Sequence, residues 1–409
     1  MKNLIVGQSG GPTAAINATL AGVIRGALAA DEIKTLYGMR NGVEGLLAEK
    51  LVNLSEIFAN EENITLLEHT PAAALGSCRK KLPAVDADGA EDTYAALLEI
   101  FKKYDIRYFF YIGGNDSMDT VAKLSAYTKG HDYEMCIMGV PKTIDNDLVL
   151  TDHTPGFGSA AKYVATVVKE IARDCSVYKV KAVTLVEIMG RDAGWLTASA
   201  ALPKYLSGIG ADYVLVPENA FDEDEFIQNI KKDLEDDTKP YVVVALSEGI
   251  KNADGSYAGE KAMKNAVDAF GHKYLSGTGR YLENLIKEKI GCKCRSVELN
   301  LPQRCASHIA SECDITESFA IGSAAVCCAL EGNTGRMMAF EREDKEDYSC
   351  RIVSRSVFEI ANKVKSIPKE YLSDGKVGVN EKCISYILPL IKGENKVTYQ
   401  EGLPVHFEF

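Results

Sequence analysis

The sequence predicts an α/β protein built on parallel sheets in two lobes, and three observations carry the prediction. Residues 108–112 (Tyr-Phe-Phe-Tyr-Ile) and 136–140 (Cys-Ile-Met-Gly-Val) are short apolar runs closed by Gly or Pro. Runs of this kind read as buried parallel strands. Such runs alternate with helical stretches, and the strand–loop–helix plan begins afresh at residues 183–188 after a shift in composition near 151–159. At 409 residues the chain is long enough for two ordinary domains.

Taken in order, residues 4–6 form a first strand, which runs into Gly7-Gln8-Ser9-Gly10-Gly11-Pro12-Thr13 and an Ala-rich helix at 14–29, weakened by Gly22 and Gly26. Strand, glycine-rich turn and helix is the layout of a phosphate site at a helix N-terminus. Neither common nucleotide fingerprint is present, so this loop by itself reads equally as a tight turn or a ligand site. Residues 36–46 form a second βα unit. Arg79, Lys80 and Lys81 follow Gly76 shortly before a helix at 91–103. They are either a solvated face or a phosphate contact, with Arg79 able to fork to two oxygens.

A loop at 151–159 precedes a long helix at 160–173, and His153 within it reads as structural. Strand 183–188 ends at Met189-Gly190-Arg191, before a helix at 195–201. An arginine flanked by glycines at a strand end is placed to bridge phosphates. Strands at 213–218 and 241–246 follow, the latter ending in Ser247-Glu248-Gly249. Residues 222–237 form a charged helix, 251–259 a loop and 281–289 a helix. Residues 295–304 read as a strand with an arginine at each end, bent or at an edge because of Pro302. Arg295 and Arg304, nine apart, are placed to hold an anion from different sides. A helix at 311–331, a strand at 337–340 and a polar extension at 368–409 complete the chain.

Composition bounds the function. Apolar residues make up 46% and charged residues 25%, as in soluble globular proteins. A net charge of −12 argues against nucleic-acid partners and makes any phosphate site a local cationic island. The 11 cysteines show no disulfide or zinc spacing and read as reduced thiols in a cytoplasmic protein. No signal peptide is expected at the N-terminus. No uninterrupted 18-residue apolar run exists, so no membrane span is expected.

The chemistry concentrates at 111–148. Gly113-Gly114-Asn115-Asp116-Ser117 and Pro141-Lys142-Thr143-Ile144-Asp145-Asn146-Asp147 each follow a strand. Ligands bind beyond the carboxyl ends of strands in open α/β sheets, so both segments should face one cleft. The glycines let backbone N–H groups approach phosphate, Lys142 supplies a cation, and the Asp-Asn-Asp cluster can take a hydroxyl proton or hold Mg2+. One aspartate alone would read as a helix cap. The ensemble reads as phosphoryl transfer to a hydroxyl.

These segments, with Ser9-Gly10-Gly11, Met189-Gly190-Arg191, Ser247-Glu248-Gly249 and Gln303-Arg304 in that order, resemble the phosphofructokinase family over nearly the whole chain. The resemblance implies two Rossmann-like α/β lobes with the active site between them. It implies a donor lobe of 1–156 plus 304–360 and a sugar-phosphate lobe of 157–303 plus 361–409. It also implies Mg2+-dependent phosphorylation of the C1 hydroxyl of fructose 6-phosphate in glycolysis. Carried over by residue, Asp145 resembles the base that takes the C1 proton, with Thr143, Ile144 and Asp147 beside it on the sugar. Met189, Gly190 and Glu248 resemble sugar contacts, Arg191 a sugar or transition-state contact, and Arg295 and Arg304 clamps on the 6-phosphate. Gly11, Arg79 and Gly114 resemble donor-phosphate contacts.

Two positions bear on the donor. ATP-using members have Gly-Gly-Asp-Gly-Ser and a glycine before Thr-Ile-Asp; here Asp116 and Lys142 stand at those places. The pair resembles the pyrophosphate-dependent branch. A carboxylate at 116 fills and repels the space for a nucleotide α-phosphate, and Lys142 supplies charge to pyrophosphate. Asn115 replaces an aspartate associated with Mg2+, Leu301 stands where many members have His, and Ala182 stands near an expected cross-subunit arginine, with Lys179 or Lys181 as substitutes. The family implies a homodimer or homotetramer. The alternatives are an ATP-dependent 6-phosphofructokinase and, in another class, a non-catalytic sugar-phosphate sensor. Retention of Asp145, Asp147 and Arg191 argues against the sensor.

Overall fold

In a computed structural model, residues 1–260 and 277–409 are described. Two parallel sheets organise the chain. The larger takes β1 (Lys2–Gln8), β2 (Ile33–Met39), β3 (Leu51–Asn53), β4 (Ile106–Gly113) and β5 (Cys136–Pro141). The smaller takes β6 (Ala182–Ile188), β7 (Tyr213–Leu215), β9 (Tyr241–Ser247) and β11 (Lys293–Glu298), after a separate two-residue pairing of β8 (Ala220–Phe221) with β10 (Lys251–Asn252). β12 (Arg336–Arg342) and β13 (Cys350–Ser356) return to the larger sheet.

The larger sheet runs β13-β12-β5-β4-β1-β2-β3 and the smaller β11-β6-β9-β7. All neighbours are parallel except β12 with β13 and β2 with β3 at the two edges of the larger sheet. The central strands are buried on both faces, which is why they read as continuous apolar runs rather than alternating ones. The antiparallel edges β3 and β13 carry no such signal and are new.

The glycines that weaken the first helix have a packing reason. Helix Ile16–Leu28 crosses helix Glu312–Leu330 at backbone contact. A Cβ on Gly22 would lie 1.9 Å from the Phe319 carbonyl oxygen, and one on Gly322 would lie 2.1 Å from that of Thr19. The later helix has 19 residues, and an 18-residue window of it has a mean hydropathy of 1.4, enough by length and composition alone to cross a membrane. Here it packs as a core helix, with Ile321, Ala325 and Ala329 in the apolar layer shared with β1 and β4.

Two further expectations change. The strand expected over 295–304 stops at Glu298. Asn300 turns to a positive φ of 41°, and Leu301–Arg304 is a 3-10 turn around Pro302. The polar extension is partly core. Cys383, Ile387 and Leu390 are buried with the apolar layer of the smaller sheet, while Phe407 packs on the larger sheet's layer. All eleven cysteines are free.

Candidate active site

β1, β4 and β5 are neighbours, and their carboxyl ends are level: Gln8 is opposite Ile112, and Gly113 opposite Pro141. The loops after them therefore converge. β6 and β9 do the same in the other lobe, with Ile188 opposite Ser247. The two sets of loops face one another across a cleft.

The cleft holds two cavities. One, of about 470 Å³, is lined by Gly10, Gly11, Arg79–Lys81, Gly114, Asn115, Asp116 and Arg191, and by Asn362 and Val364 from the C-terminal region. The other, of about 170 Å³, is lined by Gly11, Pro12, Thr13, Ile144, Met189 and Arg304. Lys142, Thr143, Asp145, Glu248 and Gly11 line both, so the aspartate and the lysine sit at the junction. Asp147 lines the larger cavity. A Cβ on Gly11 would fall 2.9 Å from the Arg304 guanidinium, so the glycine admits that arginine to the smaller cavity.

The loop carrying the aspartates is tightly shaped. The Asp145 N–H donates to Thr143 Oγ1 at 3.0 Å, Thr154 Oγ1 donates to the Thr143 carbonyl at 2.8 Å, and Asn146 has a positive φ of 54°. Burial pushes the Asp145 carboxyl up to about 7, helped by the charges of Asp147 and Glu248 and opposed by Lys142 and Arg191. Burial also raises Asp147, and Lys365 opposes it. Lys142 is buried and donates from Nζ to the Gly11 carbonyl at 2.5 Å. Burial lowers its ammonium to about 8, the charge of Asp145 resisting.

The other expected residues fall as follows. Gly190 takes a φ of 123°, and its N–H donates to Glu248 Oε1 at 3.3 Å, which ties the two strand-end loops of the smaller sheet together. Arg191 Nε donates to Asp192 Oδ2 at 3.2 Å. Asp116 pairs with Lys81 at 3.0 Å across the larger cavity. Asn115 lines that cavity, but its amide closes on the C-terminal region: Oδ1 accepts from the Asn362 N–H and Nδ2 donates to the Lys363 carbonyl, both at 2.6 Å. Arg295 is not brought to the cleft within one chain. It lines a separate cavity of about 340 Å³ with Ile171, Tyr178, Val180 and Tyr241. The two arginines are parted because the strand ends before Arg304.

Sequence reasoning gave no role to Gln303, named only within its motif, and missed Asp192 and residues 362–365. Gln303 Oε1 accepts from the Met189 N–H at 3.2 Å, and its place beside Arg304 was the available signal. Residues 362–365 carry no motif. His153 is structural: its ring lies between Asp152 and Glu317, at 2.9 and 2.8 Å, and stacks on Phe340.

The family model described as Phosphofructokinase matches residues 3–329. Over 98% of the chain and 94% of the relative, this protein is 41% identical to a pyrophosphate–fructose 6-phosphate 1-phosphotransferase of Xanthomonas campestris. It is 37% identical over the same shares to one of Halomonas elongata. A crystal structure of a pyrophosphate-dependent phosphofructokinase from Marinobacter aquaeolei matches with a TM-score of 0.87 at 35% identity, covering all of this chain and 96% of that one. With its motifs gathered at one cleft and its likeness running end to end, the chain belongs to the phosphofructokinase family.

Proposed function

We propose that this protein transfers a phosphoryl group reversibly between pyrophosphate and the C1 hydroxyl of fructose 6-phosphate, giving fructose 1,6-bisphosphate and phosphate. The observation that carries the reading is the junction, where Asp145 and Lys142 line both a larger cavity bearing Arg79, Lys80, Lys81 and Arg191 and a smaller one bearing Arg304, Met189 and Glu248. In this reading pyrophosphate occupies the larger cavity, against Gly11, Gly114 and Arg79. The sugar occupies the smaller one, with its C1 oxygen at the junction. The donor lobe is 1–156 plus 304–360, and the sugar lobe 157–303 plus 361–409, save that Phe407 at the end of the chain packs back on the donor lobe.

Asp145 accepts the C1 proton as that oxygen bonds to phosphorus, and the bond from phosphorus to the leaving phosphate breaks. Lys142 and Arg191 neutralise the charge on the transferring group. In reverse, Asp145 returns the proton to the C1 oxygen. Asp116 and its partner Lys81 occupy the space a nucleotide's α-phosphate would need, which favours pyrophosphate over ATP.

The site also fits Mg2+. This ion keeps several waters and takes one or two protein oxygens beside substrate phosphates. The Asp116 carboxylate would hold it with pyrophosphate oxygens. The Asn115 oxygen, already accepting from Asn362, adds at most its remaining lone pair. When bound, the ion neutralises charge developing on the phosphates. Half-exposed Tyr178 and Val180 beside Arg295 support a homodimer or homotetramer in which Arg295 reaches a partner's sugar. The free thiols suit a cytoplasmic, glycolytic enzyme.

The test mixes protein, Mg2+ and fructose 6-phosphate with pyrophosphate or ATP and follows the bisphosphate through aldolase. Turnover with pyrophosphate and not ATP is expected. Turnover with ATP alone overturns the donor assignment, and binding of the sugar without turnover supports the sensor.

A further inference from the structure

Past residue 329, where the family match ends, the chain returns to the cleft. Residues 362–367 cross from one lobe to the other. At one end Asn362 is held by Asn115 and donates from Nδ2 to Asp119 Oδ1 at 2.9 Å. At the other, the Ile367 N–H donates to Glu218 Oε1 at 3.0 Å. Between them Lys365 turns inward. Its Nζ donates to the carbonyls of Asp152 at 2.8 Å and Thr151 at 3.1 Å, and to Asn146 Oδ1 at 3.3 Å. Its backbone N–H donates to the Asp147 carbonyl at 2.7 Å, and its own carbonyl accepts from Trp195 Nε1 at 3.0 Å.

Three acceptors match the three N–H bonds of an ammonium. Taking that charge out of water is costly, and burial lowers its pKa to about 8. The cost falls where it holds a strained residue. Asn146 is left-handed, and its side chain is gripped at both ends: Lys365 on its oxygen, and Tyr386 Oη accepting from its nitrogen at 2.8 Å. Asn146 lies between Asp145 at the junction and Asp147 in the larger cavity.

We propose that Lys365 is a positioning residue for the reaction: acting through Asn146 and the Asp147 backbone, it sets the loop that presents Asp145 and Asp147 to the sugar. This rests on the sugar-phosphate reading above. It also assigns the C-terminal region, beyond the matched family segment, a direct part in shaping the family's motif.

The test compares full-length wild type with Lys365→Met. In K365M, KM for fructose 6-phosphate is expected to rise about tenfold and kcat to fall about thirtyfold, with KM for pyrophosphate within about twofold of wild type. A merely structural role would lower the melting temperature or the active fraction without separating the two substrates. Propylammonium added to Lys365→Ala should restore the sugar KM, and propanol should not. Calorimetric binding of fructose 6-phosphate needs no donor, so it reads the proposal even if wild type proves inactive with pyrophosphate. Unchanged sugar affinity and kcat in folded K365M overturn it. If neither Lys365 variant folds, Trp195→Phe removes the bond to the Lys365 carbonyl; it should raise the sugar Kd in the same direction, and no change overturns the proposal.

Discussion

Burial acts in opposite senses on Asp145 and Lys142. It favours the neutral form of each, raising the acid to about 7 and lowering the base to about 8. Phosphorylation of the sugar needs Asp145 ionised and Lys142 charged. In that direction kcat/KM should rise with pH through about 7 and fall above about 8. In the reverse direction Asp145 must carry its proton, so raising the pH through about 7 should lower the rate. Profiles in both directions check the sign, and Lys142→Arg should carry the alkaline limb upward. Asp145→Ser should lose at least about 10²-fold in kcat with little change in KM, since a general base is worth about 10²–10⁴; an undiminished kcat would remove Asp145 from the chemistry. Asp116→Gly removes the carboxylate and opens the larger cavity, so ATP turnover should appear. If steady-state assays find none, the steric account of donor choice fails.

At the scale of elements, the crossing of the first helix with helix Glu312–Leu330 is set by glycines rather than by large side chains. The contact leaves no room for a methyl group: the Gly322 Cβ position lies 2.1 Å from the Thr19 carbonyl oxygen. Gly322→Ala gains helix propensity of about 1 kcal/mol but must force the helices apart. Overpacking costs about 1–3 kcal/mol, so a net loss in urea unfolding is expected. A gain would mean that the helices separate freely. The crossing also bears on the site. Asp314 on the later helix accepts from the N–H groups of Gly156 and Ser159, and so anchors the segment just after the motif loop.

Across the whole molecule, Arg295 lies away from the cleft of its own chain, in a cavity beside exposed apolar residues. If it serves a partner's sugar site, Arg295→Ala and Asp145→Ser are defects in different chains of one composite site. Each variant alone should be nearly inactive. Co-refolded mixtures should regain activity, because some sites then receive both intact residues. No recovery in a mixed oligomer verified by native mass spectrometry would place Arg295 outside the site.

Much of the cleft was legible because its residues are contiguous. Apolar runs marked β4, β5, β6 and β9, the first two closed by Gly or Pro, and a parallel sheet must present the loops after such strands at one edge. Lys142, Asp145, Arg191 and Glu248 could therefore be read directly. The helix glycines were visible but not their purpose, because close approach depends on a partner helix some three hundred positions away. The end of the strand before Arg304 depended on one left-handed residue, Asn300, and so the separation of the two arginines was hidden. By itself the sequence determined the strand-end motifs and the charges they bring, since those depend on short-range pattern and residue type. Only the tertiary structure decided that Asp145 and Lys142 share a junction, that their charges are strained by burial, and that Lys365 grips the same loop at Asn146 and Asp147. Desolvation and long-range hydrogen bonds arise only when distant segments meet.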